Sequence, residues 1–328
     1  MLALDADPSL SVALVGPADV ASALVGARGR AEDPRLSVVP ASQVVAMDED
    51  PVRAVRSKRD ATVRVGARMV RDGEAGAMVS CGSTGATLAA AVLTLTRVRG
   101  VARPPLAAVV PSPGGAVVLL DAGATVDCPP PLLATFALVG AAYASVRLGL
   151  DRPRVGLLTI GEEAGKGDAV RKAAHGALAD ALAHVPGAFV GNVEGHDVPL
   201  GGRADVVVTD GFTGNVLAKG LEGAAVAVTA AARDRLAAHG VDDDVLAQVE
   251  AATAPLSPDE LGGAVLLGVR GVVVVGHGAS TARGVASCLR TASDAARGDL
   301  VERTTTALDM LRADRPVPGP PPPPHPAG

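Results

Sequence analysis

The chain has 328 residues, a formal net charge of −5, a hydrophobic content of 48% and an aromatic content of 1%. That length supports a large core built from Ala, Val and Leu, while the acidic balance gives no global field for nucleic acid, so an acidic partner would need a local basic patch. Three well-separated cysteines, Cys81, Cys128 and Cys288, lack metal-ligand spacing and fit a reducing compartment better than a disulfide framework, so no metal is expected.

The chain does not open on a basic segment followed by an apolar one, and no run of about 18 apolar residues is present to span a bilayer. The expectation is a soluble, cytoplasmic protein. Ser11 to Gly16 reads as an early strand ending in a glycine turn, and Leu36 to Pro40 as a second. From Met47 to Arg71 the pattern is helical and strongly basic, with Arg53, Arg56, Arg64 and Arg68 among its cations. Such a run is read either as a solvated helix face or as a surface for an acidic partner. Ala77 to Ser80 is a strand that delivers Cys81-Gly82-Ser83-Thr84-Gly85 to an Ala/Leu helix. Leu106 to Val110 and Ala116 to Leu120 are strands whose short link, Pro111 to Gly115, predicts a hairpin rather than a parallel pair.

After an Ala-rich helix through Tyr143, the strand Arg154 to Ile160 leads into Gly161-Glu162-Glu163-Ala164-Gly165-Lys166-Gly167. Its glycines let the backbone approach a ligand, and its carboxylates and lysine supply acid–base or anion-binding groups. It lacks the spacing of a Walker loop. Phe189 to Gly195 ends another strand with an amide and an acid. Asp205 to Lys219 is the centre of the pattern: a β-branched run, Val206 to Val208, then two glycines, two hydroxyls, an acid and an amide before a helix. Free N–H groups and the helix dipole suit that turn to an anion; the plainer reading is an ordinary βα connection with a cap. Leu221 to Ala238 and Val245 to Ala252 predict a helical hairpin, for dimer packing or a membrane-touching tip. Val272 to Val275 ends in Gly276-His277-Gly278-Ala279-Ser280, which places a histidine at a strand end. Residues 309–328 form a proline-rich tail expected to be disordered, leaving 1–308 as one α/β domain. The alternation predicts a mostly parallel, doubly wound sheet with helices on both faces, its polar turns gathered along one edge.

The ordered series Met47-Asp48-Glu49-Asp50-Pro51, Ser57-Lys58-Arg59-Asp60, Thr84-Gly85-Ala86, Asp121-Ala122-Gly123-Ala124, the Gly161–Gly167 loop, Gly191-Asn192-Val193-Glu194-Gly195, Asp210-Gly211-Phe212-Thr213-Gly214-Asn215 and His277-Gly278-Ala279-Ser280 resembles the PlsX family. These are acyl-ACP:phosphate acyltransferases, and the resemblance runs from about Ser11 to Arg290. It implies a three-layer α/β/α fold like that of isocitrate and isopropylmalate dehydrogenases. It also implies a homodimer, no cofactor, and transfer of a fatty acyl group from acyl carrier protein to inorganic phosphate for phospholipid synthesis. Peripheral contact with the membrane is part of the same expectation.

Carried onto this chain, the resemblance makes Lys166, Asp210, Asn215 and His277 the expected catalytic residues. Lys166 and Lys58 would bind phosphate charge, Asn215 and Thr213 would orient phosphate or carbonyl, and His277 or Asp210 would manage protons. Thr84, Gly85, Asp121, Glu163, Asn192, Glu194, Gly214 and Ser280 complete the expected substrate site. Arg53, Arg56, Arg64 and Arg68 form the surface for the acidic carrier protein. Ser83 and Thr125 stand where the family pattern has asparagine, and each loses an amide. The family's opening strand and Asp-Ala-Met-Gly-Gly-Asp loop have no counterpart, which is read as a downstream start or a lost strand. Two other readings stay open: a non-catalytic paralogue that dimerises or binds carrier protein, and a phosphotransacetylase-like enzyme. A dinucleotide-dependent dehydrogenase is disfavoured, because no Gly-x-Gly-x-x-Gly follows a strand in the first βαβ unit.

Overall fold

A computed structural model describes residues 1–183, 185–254 and 262–313. The chain opens with α1 (Leu2–Ala6), β1 (Val12–Gly16), α2 (Ala18–Ala27) and β2 (Leu36–Pro40), followed by α3 (Pro51–Ser57), α4 (Thr62–Arg71), β3 (Ala77–Ser80) and α5 (Thr84–Thr94). The hairpin β4 (Leu106–Val110) and β5 (Val117–Leu120) precedes α6 (Pro130–Arg147), β6 (Arg154–Leu158), α7 (Ala169–Leu182), β7 (Ala188–Val193), α8 (Asp197–Leu200) and β8 (Val206–Val208). The last elements are α9 (Gly211–Ala238), α10 (Asp243–Thr253), β9 (Ala264–Leu266), β10 (Val272–Val275), α11 (Ala282–Arg297) and α12 (Leu300–Ala313).

β1 and β2 form a two-stranded parallel sheet, and the other eight strands form one sheet in the order β3-β10-β9-β4-β5-β8-β6-β7. β4 and β5 pair antiparallel, as the short link between them predicts. The pairings β3–β10, β5–β8, β8–β6 and β6–β7 are parallel, while β9 lies antiparallel to both β10 and β4. Followed across the sheet, these pairings make β3, β10 and β4 run opposite to β9, β5, β8, β6 and β7. The polar turns therefore do not gather along one edge. Those after β3 and β10 leave the sheet at the opposite end from those after β5, β6, β7 and β8.

The first layer of helices buries the main core. α6 is apolar on every side, with Leu133, Phe136, Leu138 and Tyr143 all buried, as expected of a helix packed in a protein interior. Its Gly140 sits so close to the sheet that a Cβ there would come within 2.9 Å of Val206 and 3.0 Å of Leu120. α7, α11 and α12 complete that layer, and α5, α8 and α9 pack on the opposite face. The result is the three-layer α/β/α arrangement.

The basic stretch from Met47 to Arg71 is not one helix. It breaks between Ser57 and Thr62 because Asp60 is drawn aside, its carboxylate accepting from Ser42 N and Oγ at 2.6 Å and its N–H donating to Gln43. The small sheet does not hydrogen-bond to the large one. Between them lies a cavity of about 750 Å³ lined by Val12 to Val15 on one side and Ala77 to Ser80 on the other. Arg297 crosses from α11 to Asp7 at 2.9 Å and Ser9 at 2.5 Å, tying the small sheet's leader to the large layer. α9 and α10 form the expected hairpin; α9 is one helix that takes in the Leu221–Ala238 stretch and starts at Gly211, inside the stretch expected to be a turn through Asn215. α12 runs to Ala313; the proline-rich residues 314–328 lie outside those described.

Candidate active site

Four strand ends build the richer of the two groups of turns. At the end of β5, Asp121 is fully buried and its carboxylate accepts from the N–H groups of Leu106, Gly123, Ala124 and Thr125 at 2.9, 3.0, 2.9 and 2.6 Å. Burial pushes its pKa up, against the opposing pull of those four donors. With its oxygens so committed, Asp121 shapes the 121–125 loop from within.

That loop carries the start of α9. Gly211 N–H donates to Thr125 O at 2.7 Å, and a Cβ on Gly214 would run into Asp121 O. Only glycine permits that approach. Asp210 caps α9, accepting from Thr213 N–H and Thr213 Oγ1 at 2.8 Å each and from the Arg171 guanidinium. Burial alone would raise the Asp210 pKa; the Thr213 bonds and the Arg171 charge outweigh it and hold the carboxyl below its usual range. Asn215, on the exposed side of the first turn, lies over Gly123, where a Cβ would stand 3.6 Å from Asn215 Cγ.

β6 delivers the lysine loop. Thr159 Oγ1 donates to Gly161 O at 2.6 Å and closes its first turn, and Lys166 N–H closes the next on Glu163 O at 2.9 Å. Lys166 Nζ stands 3.9 Å from a Glu163 carboxylate oxygen, with both side chains more than half exposed. Asp168 then caps α7 by accepting from Arg171 N–H at 2.8 Å. From α7, Arg171 reaches both Asp168, at 2.9 Å, and Asp210. It thus joins the lysine loop to the start of α9. At the end of β7, Asn192 is buried, donates to Glu163 O at 2.6 Å, and leaves its own Oδ1 without a partner. Neighbouring Glu194 has its N–H tied to Asp197 at 2.8 Å. Thr209 Oγ1, beside Asp210, is likewise buried and unpartnered.

The second group sits at the ends of β3 and β10. Ser83 caps α5 by accepting from Ala86 N–H at 3.3 Å, the role its hydroxyl can fill without an amide. Thr84 is exposed, and Gly85 packs so tightly under Pro51 that a Cβ would come within 2.7 Å of it. His277 is exposed and its Nδ1 accepts from Ala279 N–H at 3.2 Å; Ser280 N–H donates to His277 O. Gly276 makes room for two thiols, since a Cβ there would meet Cys81 Sγ at 2.5 Å and Cys288 Sγ at 3.0 Å. The hydrogen bond from Cys288 brings the Cys81 pKa down to about 7, against the effect of burial and with help from Ser280. Burial and the charge of Asp121 push Cys128 up to about 11.

The expected residues therefore fall into three places. Lys166, Glu163, Asn192, Glu194, Asp121, Asp210, Thr213, Gly214 and Asn215 meet at the ends of the adjacent strands β5, β8, β6 and β7. Thr84, Gly85, His277 and Ser280 share the other rim. Lys58 stands apart, its ammonium donating to Glu49 at 2.5 Å and Val44 O at 2.8 Å. Of the four surface arginines, Arg64 donates to Val55 O at 3.0 Å and Arg68 to Arg59 O at 2.8 Å, stapling α4 to α3, while Arg53 and Arg56 are exposed on α3. Among the described residues, no three His, Cys, Asp or Glu side chains cluster as metal ligands, and no helix is long and apolar enough to cross a membrane.

A family model described as "Fatty acid synthesis protein" matches residues 1–303. A phosphate acyltransferase from Desulforudis audaxviator is 46% identical over 281 residues, 84% of this chain and 82% of the relative. One from Myxococcus xanthus is 42% identical over 317 residues, 94% of this chain and 88% of the relative. The chain belongs to the PlsX phosphate acyltransferase family. It is an acyltransferase enzyme.

Solved structures place the PlsX fold among known ones. The EutD phosphotransacetylase from Staphylococcus aureus superposes with a TM-score of 0.54 at 16% identity, over 87% of this chain and 94% of its own. A branched-chain phosphotransacylase from Enterococcus faecalis gives 0.53 at 15%, over 88% and 99%. At such identities the likeness concerns the fold alone. Arg171 is the group that the motif series passes over in this PlsX chain, because its partners are remote in sequence. Its local signal was an Asp-x-x-Arg start to a helix directly after the lysine loop.

Proposed function

We propose that this enzyme transfers a fatty acyl group from the thioester of acyl carrier protein to inorganic phosphate, and that the acyl phosphate feeds phospholipid synthesis. The observation that supports the reading is the meeting of the lysine loop and the N-terminus of α9 on adjacent strands. There the half-exposed Lys166 and the exposed Asn215 stand by the positive end of the α9 dipole, with two buried polar atoms, Asn192 Oδ1 and Thr209 Oγ1, left without partners at the neighbouring strand ends. Phosphate, a small anion with several acceptor oxygens, matches the Lys166 ammonium, the Asn215 amide and the positive end of the α9 dipole.

In this reading Lys166 holds a phosphate oxygen and Asn215 with Thr213 orients the nucleophile. A phosphate oxygen attacks the thioester carbonyl, the oxyanion is held by the Asn215 amide and the positive end of the α9 dipole, and the carbon–sulfur bond breaks. The leaving thiolate then takes up the proton that the phosphate gives up, so that acyl phosphate and free thiol are the products. Asp210, kept ionised by Thr213 and Arg171, holds the Thr213 hydroxyl in place and provides a proton acceptor. Asp121 acts through the loop it shapes, and Lys58 through the fold of α3.

The cations Arg53 and Arg56 on α3, with Arg64 and Arg68 behind them, meet the acidic carrier protein by charge complementarity. The enzyme works as a cytoplasmic homodimer, with the α9–α10 hairpin, exposing Val226 and Val228, as its subunit or membrane-facing surface. Parallel assays with acyl carrier protein and with coenzyme A as donors test the donor assignment. The expected result is a kcat/KM for the carrier-protein thioester at least about tenfold higher, falling steeply with salt as for charge-steered encounters. Equal use of both donors at every ionic strength would overturn it.

A further inference from the structure

A second cavity, of about 650 Å³, runs along α5 on the face turned away from the large core. Its wall is Leu88, Ala89, Val92 and Leu93 of α5, opposed by Pro51 and Val52 of α3 and floored by Leu266 of β9. From Gly85 to Leu93 the helix covers roughly 12 Å at 1.5 Å per residue. One end is closed by Ala124, Thr125 and Val126, so the back of the Asp121 loop, which carries α9, is the wall of this groove. The groove joins the two rims that the strand directions hold apart.

Its chemistry is uneven. Leu93, Val52 and Val126 are 46%, 46% and 63% exposed, an apolar strip open to solvent. Cations cluster at the Thr125 end, where Arg97 donates to Ala102 O and Arg103 reaches Asp127 O at 3.4 Å. Arg56 adds a third on the α3 side. An extended ligand with an apolar body and an anionic head fits that pattern, because arginine stems cover apolar surface while their heads stay wet. Resting on the proposed acyl transfer to phosphate, we propose that this groove holds the fatty acyl chain of donor and product. The chain lies along α5 beneath α3, and the carbonyl leaves the groove past Thr125, whose C=O holds the first N–H of α9.

The test uses the full chain carrying Val126→Asp or Leu93→Asp, two exposed positions where a charge enters the groove without touching the core. The isosteric control is Val126→Leu. Turnover of palmitoyl and butyryl donors is compared, and binding of a fluorescent polyene fatty acid is titrated separately, since it needs no turnover. The palmitoyl-to-butyryl ratio of kcat/KM is expected to fall at least about tenfold in each Asp variant and to hold in Val126→Leu, the scale at which apolar pockets discriminate. Probe binding is expected to weaken in parallel. Probe binding that weakens in the Asp variants of a protein turning over neither donor would keep the groove and reject the acyl-transfer reading. An unchanged ratio with unchanged probe binding would overturn the groove. So would an equal loss on both donors accompanied by dissociation of a dimer, which would make the strip a subunit interface.

Discussion

Lys166 and Cys81 show how much a single side chain's surroundings decide. Lys166 is half exposed and has only a 3.9 Å contact with Glu163, so its charge is available to a ligand. Lys166→Ala should lower kcat/KM for phosphate by about 10- to 100-fold, the worth of one charge-assisted hydrogen bond, with unchanged thermal unfolding. A variant within twofold of wild type would remove Lys166 from the site. Cys81 is brought to about 7 by Cys288. Its alkylation rate should rise with pH as thiolate forms, half-maximal near pH 7, and Cys288→Ala, which removes the donor, should move that midpoint upward toward the ordinary thiol value of about 8.5. Cys128, pushed to about 11, should stay inert across the same range. A wild-type midpoint at the ordinary value would contradict the Cys81–Cys288 contact. Lys58 and Arg171 mark what residue type and spacing could show. Lys58 stands in a family-like motif but is held by Glu49, whereas Arg171 stands in none and yet links two site loops.

At the scale of elements, the junctions are what position the site. Gly214 lets α9 press onto the Asp121 loop, so Gly214→Ala should destabilise the fold by about 3 kcal/mol, the range of overpacking costs, and abolish activity together with the melting transition's sharpness. Wild-type stability would mean that the helix can withdraw. Arg154 and Asp205 staple the starts of β6 and β8 through bonds of 2.7, 3.0 and 2.7 Å. Burial would raise the Asp205 pKa, and the Arg154 bonds more than reverse it. A carboxyl depressed in the folded state adds stability that is fully present above its unfolded pKa of about 3.9 and is lost as pH falls through the lower folded value. Asp205→Asn should therefore cost about 2 kcal/mol at neutral pH and progressively less in acid, as denaturant titrations at several pH values would show; a cost independent of pH would rule out the ionised pair. The β4–β5 hairpin was legible because five residues are too few for a crossover. The break between α3 and α4 was not, because it depends on Asp60 bonding to Ser42 and Gln43 across the chain. β9 was also hidden, since three residues of Ala-Val-Leu carry no period.

For the whole molecule, composition and alternation sufficed for a three-layer α/β/α fold, because apolar runs between amphipathic helices have few other ways to bury themselves. Strand direction did not follow from them. The antiparallel pairings of β9 and β4 set three strands against five and divide the motif-bearing turns into two rims, a fact written only in long-range pairing. The groove along α5 is lined by Arg56 of α3, by Gly85 at one rim and by Ala124, Thr125, Val126 and Asp127 beside the other. Where the lysine loop meets α9, the enzyme is expected to move an acyl group from a thioester to phosphate. The most direct test incubates this 328-residue chain with long-chain acyl carrier protein, with and without inorganic phosphate, and traps the product as hydroxamate. Phosphate-dependent hydroxamate, abolished by Asp210→Ala together with Lys166→Ala, is the expected result; loss of the acyl group at the same rate without phosphate, or none at all, would contradict it.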